Sequence, residues 1–114
     1  MAEKPLVWIG SSLARVRQFP REARRECGHE LGRVQQGRMP SDWKRLPGIG
    51  LGVLEIRIHT HVEHRVLYVA SFPEAVYVLH AFEKRSRQMS RSDVELSRRR
   101  FADLLRLRSQ RRAD

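Results

Sequence analysis

At 114 residues the chain has room for one domain with a modest core, and 23 Lys and Arg against 13 Asp and Glu leave a formal net charge of +10. That charge argues against an ordinary metabolic enzyme and for a polyanionic partner. No apolar run approaches the roughly 20 residues of a bilayer span, so nucleic acid is favoured over a membrane.

The single cysteine, Cys27, excludes an internal disulfide and a thiolate metal cluster. The opening MAEKPLVWIGSS is too short in apolar residues for a signal peptide, so the cytoplasm is the expected compartment. Leu6 to Ile9, between Pro5 and Gly10, suits a first strand at the edge of a sheet. Ser11 or Ser12 can cap a short helix with Leu13 and Val16 inward, and Pro20 ends it or opens the next. A second helix over about Arg21 to Gln36 places Ala23, Cys27, Leu31 and Val34 on one stripe, with a charged outer face. There Cys27 reads as a small buried hydrophobe.

From Gly37 to Gly52 the prolines and glycines permit only a short strand, near Trp43 to Leu46. PGIGLG lacks the following Lys-Ser/Thr and precedes a strand, so it reads as a tight turn and not a phosphate cradle. Three strand-like runs follow, Val53 to His59, His64 to Ala70 and Ala75 to Phe82, with connections too short for crossover helices. They predict an antiparallel meander. In the first run Leu54, Ile56 and Ile58 alternate with Glu55, Arg57 and His59, so one face should be core and the other should meet water or a ligand. After a basic stretch from Glu83 to Met89, Ser92-x-x-Glu95 has the form of a capping box. It would open a helix to about Arg108 that packs on the sheet or lies over its site, with residues 109–114 frayed. The predicted fold is a single α+β domain over 1–114: an antiparallel meander, two N-terminal helices packed on it and a C-terminal helix.

His59, His61, His64 and Glu63 are the residues a metal site would need, but a hairpin connection rarely converges them, so no metal and no cofactor is expected. RNA cleavage by the ribose 2′-hydroxyl needs a base, an acid and charge stabilisation of the phosphorane. Arg57 and Arg65, on neighbouring strands, could clamp the phosphate with their fixed guanidinium forks, or could instead be solvated or ion-paired, for instance to Glu55 or Glu83. His80 and the Lys84–Arg85 pair lie close by in the sequence. Tyr68, Tyr77 and Phe82 suit either base stacking or core packing.

From Trp43 to Phe101, KRLPGIGLGVLEIRI, HRVLYVA, AVYVLHAFEKRS and SRSDVELSRRRF together resemble the phage-related, HigB-like branch of the RelE/ParE toxin superfamily. The N-terminal PLVWIGSS and the two helices fit the same pattern. The resemblance implies a type II toxin with helices on an antiparallel sheet, cutting mRNA at the ribosome without metal. Arg65 matches the family's arginine at the scissile phosphate and Arg57 a basic strand position. Lys84 and Arg85 match its second basic cluster, and His80 is a shared acid/base candidate. Arg87, Tyr68 and His59 join Arg85 as candidate RNA contacts, and replacing Arg65 by alanine should abolish toxicity with the fold largely intact. Glu55 departs from the pattern, standing where RelE-like members carry lysine. The implied partners are a cognate antitoxin, forming a toxin–antitoxin hetero-oligomer, and the ribosome with its mRNA, with no membrane. The alternative is a non-nuclease protein of the same fold, such as a ParE-like gyrase inhibitor.

Overall fold

In the computed structural model, which describes residues 3–113, strand β1 (Leu6–Trp8) ends at Gly10. Its φ of +55° would strain any side chain, and a Cβ there would fall within the Arg100 guanidinium. Helix α1 (Ser12–Arg17) follows, then α2 (Arg21–Gln35), which starts directly after Pro20. Strands β2 (Trp43–Arg45), β3 (Val53–His59), β4 (Glu63–Val69) and β5 (Val76–Glu83) precede the long helix α3 (Arg91–Ala113). The expected fraying from Ser109 is not seen as far as Ala113, because Gln, Arg and Ala are good helix formers; Asp114 lies outside the described residues.

The sheet runs in the order β1-β5-β4-β3-β2, and β2 to β5 form the expected antiparallel meander. Strand β1 pairs with β5 in parallel, Leu6 opposite Val76 and Trp8 opposite Val78, so the five-stranded sheet is mixed. Helices α1 and α2 take the chain from β1 at one edge to β2 at the other. Among the described residues no helix is long and apolar enough to cross a membrane.

Both faces of the sheet carry a core. On the helical face, Val16, Phe19, Ala23, Cys27, Leu31 and Val34 meet Ile56, Ile58, Val66, Tyr68, Val76 and Val78. Burial pushes the Cys27 thiol up to about 12, which keeps it an inert hydrophobe. On the other face Val53, Leu67, Val69, Tyr77 and Leu79 pack under Leu104, with Phe101 and Leu107 of α3 at their margin. The expected division into one buried and one wet face therefore holds only at the end of β3, from Arg57 to His59. The apolar run Val66 to Ala70 has side chains for both faces, which is the pattern of a strand covered twice. A bulge leaves Leu79 without a partner, because Leu67 pairs with His80 and Tyr68 with Val78.

Helix α3 is fastened along its length. Its cap is Ser90 and Asp93, two residues before the expected Ser92 and Glu95: the Ser90 hydroxyl accepts the Asp93 N–H at 3.1 Å and donates to Asp93 Oδ2 at 2.7 Å. His80 Nε2 donates to Asp93 Oδ1 at 2.8 Å, and this tertiary contact selects the earlier cap. Arg98 Nε donates to the Gly48 carbonyl at 3.0 Å. Gly50 lies so close that an added Cβ would stand 2.5 Å from the Phe101 ring. Gly50→Val is expected to destabilise the protein by about 1–3 kcal/mol, read as a lower urea midpoint at unchanged slope. An unchanged midpoint would mean that α3 yields freely at this contact.

Near its C-terminal end Arg108 stacks over Phe72 with its Cζ 3.7 Å from the ring centroid, and its Nε and Nη2 reach the Glu74 carboxylate at 2.6 and 3.2 Å. Arg108, and then the Tyr77 hydroxyl at 2.6 Å, push the Glu74 carboxyl from its ordinary 4.5 down to about 2. A depressed native value means the pair's stabilisation is complete above pH 4.5 and drains away as the pH falls toward 2. Glu74→Gln should accordingly flatten the acid limb of a stability–pH curve measured by urea unfolding. Parallel limbs for the variant and the wild type would rule out a contribution from this pair.

Candidate functional site

Strand register brings the two sequence-predicted arginines together: Arg57 stands directly opposite Arg65 across the β3–β4 ladder, on the face α3 leaves open. Like charges so placed repel, and Glu55, two residues from Arg57 on the same face, offsets them. Its Oε1 lies 3.3 Å from Arg57 Nε and 3.7 Å from Arg65 Nε. Arg65 Nη1 also donates to Glu63 Oε1 and to the His64 carbonyl, each at 3.0 Å. The Glu55 and Arg65 side chains are 4% and 7% exposed, whereas that of Arg57 is 31% exposed, so Arg57 is the more open of the two arginines.

Beside this cluster opens a cleft of about 440 Å³. Leu46 and Ile49 of the β2–β3 loop, Met89 just before α3 and Val94 in its first turn form its apolar walls. Lys44, Arg45, Lys84, Arg87 and Arg98 line it too, with Glu55 as the single carboxylate among them. Lys44 arrives because it pairs with Glu55 across β2–β3. An adjoining hollow shares Lys84 and Arg87 and is completed by Glu63, Arg65, Arg85 and Ser86. The expected cluster of Arg57, Arg65, Lys84, Arg85 and Arg87 is thus assembled on one side of the molecule. Apolar walls beside a carboxylate and five cations suit a base, a phosphate and a proton transfer.

Three candidates lie elsewhere. Tyr68 points to the helical face, is buried in the core there, and has its hydroxyl pKa raised by that burial. His80 is 1% exposed, stacked on Phe82 and bonded to Asp93 beneath α3. Burial lowers its pKa, favouring the neutral ring at neutral pH. His59 is exposed at the end of β3, where Asp42 Oδ2 at 2.6 Å and Glu63 Oε1 at 2.7 Å accept from its two ring nitrogens and hold its pKa above the ordinary value. It touches the cluster only through Glu63. His64 turns to the opposite face and packs at a tilt against Phe19, so it does not converge with His59. Sequence reasoning missed Lys44, Arg45 and Arg98 as site residues; Lys44 became visible only through its cross-strand pairing, and Arg98 was one among many arginines of the last helix.

A protein-family model described as "Phage derived protein Gp49-like (DUF891)" matches residues 14–102. No curated protein matches the chain. The match spans most of the fold and both sides of the cleft, and the chain belongs to this phage-derived, RelE-like family of toxin-like proteins.

Proposed function

We propose, on the premise of that membership, that this protein is the toxin of a type II toxin–antitoxin pair in the HigB-like branch. It acts in the cytoplasm as a metal-independent endoribonuclease on mRNA held by the ribosome, and a cognate antitoxin neutralises it. The observation that carries this reading is the Glu55 carboxylate flanked by Arg57 and Arg65 at the margin of a cleft whose other charged groups are all cations. Glu55 takes the proton of the ribose 2′-hydroxyl as that oxygen attacks the adjacent phosphorus. Arg57 and Lys84 stabilise the charge gathering on the phosphorane oxygens, and Arg65 holds Glu55 in place. As the bond from phosphorus to the 5′-oxygen breaks, the Lys84 ammonium protonates the leaving oxygen. The products are a 2′,3′-cyclic phosphate and a 5′-hydroxyl. Arg85 and Arg87 carry the flanking phosphates, and His80 supports α3 instead of moving protons.

The deciding experiment maps transcript 5′ ends in a cell-free translation reaction with purified protein, beside naked RNA. New ends on translated message alone, in codon register, are the expected result. Cleavage of naked RNA would keep the nuclease and remove the ribosome from it. Intact transcripts under both conditions would overturn the reading and direct the search to a gyrase supercoiling assay.

A further inference from the structure

Arg45 lines a second cavity, of about 370 Å³, on the opposite face of the sheet at the β2 edge. Its volume is that of a small-ligand site, for which about 300–1,000 Å³ is usual. Three cations, Lys4, Arg38 and Arg45, line it, and no carboxylate does. None of the three belongs to an ion pair among the described residues. Trp43, Leu54 and Tyr68 provide its apolar surface, and the Arg45 guanidinium stands 5.4 Å from the Trp43 ring centroid. Lys4 is held by the end of α2: its N–H donates to the Gln35 carbonyl at 3.0 Å and its own carbonyl accepts from Gln35 Nε2 at 2.9 Å. One of its ammonium protons goes to the Ala70 carbonyl at 2.6 Å, leaving two donors for a ligand.

We propose that this cavity is a nucleotide subsite, with an unpaired base against Trp43 and its phosphate among Lys4, Arg38 and Arg45. Uncompensated cations beside a half-buried aromatic ring that lines the cavity match the chemistry of single-stranded nucleic acid. The inference rests on the RNA reading above for its biological ligand. A strand leaving the cleft over Lys44 reaches Arg45, which lines both cavities, and so passes around the β2 edge from one to the other. An acidic peptide added to that edge is the weaker fit, because β2 offers only three residues for a ladder.

The test titrates the full chain with adenosine 5′-monophosphate and follows tryptophan fluorescence, with adenosine and inorganic phosphate alone as comparisons. Saturable quenching is expected, lost in Trp43→Phe and at least about tenfold weaker with either fragment or in Arg38→Glu. No saturable quenching, quenching that survives Trp43→Phe, or affinity indifferent to Arg38→Glu would each overturn it. So would a peptide of Glu and Leu that displaces the nucleotide, which would assign the cavity to a protein partner. The readout is binding and not cleavage, so a null titration beside a positive cleavage assay removes this inference alone. A saturable titration stands even where no transcript is cut.

Discussion

Arg65→Ala is expected to destabilise the fold by about 3 kcal/mol, the low end of the range for breaking a buried ion pair, because Arg57 remains beside Glu55. Arg65 is nearly enclosed and bonded to the buried His64 carbonyl, so its removal also strips a partner from a group that does not reach water. For a domain of this size each kcal/mol shifts Tm by about 4–8 °C, so the variant should melt well over ~10 °C lower. This revises the expectation from sequence that the substitution spares the fold. Lost toxicity in Arg65→Ala would then mix instability with chemistry. A double-mutant cycle of Arg65→Ala with Glu55→Ala, followed by urea unfolding, separates them: a coupling of at least ~1 kcal/mol is expected. A coupling near zero would show that the two side chains do not act as a unit.

Glu55→Gln should slow cleavage by about 10²–10⁴-fold, the usual contribution of a general base. The same change removes a negative charge from a cleft otherwise lined by cations, so RNA should bind more tightly while reacting more slowly. That split between kcat and KM separates a proton acceptor from a spacer that keeps two arginines apart. Single-turnover cleavage beside equilibrium RNA binding, wild type against variant, is the measurement. An unchanged turnover with altered binding would leave Glu55 as a charge partner only and would move the search for a base elsewhere.

Local periodicity made much of the fold legible. The α2 stripe of Ala23, Cys27, Leu31 and Val34 is buried as its spacing requires, and β3 begins and ends where its alternation does. The basic cluster of Arg57, Arg65, Lys84, Arg85 and Arg87 was recognisable as residues on adjoining strands and their exit. Spacing alone could not place two of the candidates. Tyr68 sits in a run that is apolar at every position, so its alternation could not say which face it joins. In a regular strand His80 would share the helical face with Val76 and Val78, and the bulge at Leu79 turns it to the other face, beneath α3.

The sequence by itself determined the class of fold, the order of its elements, a strongly cationic surface and the strands on which the site stands. All of these follow from composition or from spacings within one element, where the chain geometry is repetitive. Only the tertiary structure decided that β1 lies parallel to β5, that α3 buries the second face, and that Glu55 rests between Arg57 and Arg65 with Lys44 across from it. Those facts depend on register between segments far apart in the chain. Register is set by the packing of both faces and by the burial of charge, which no single element contains.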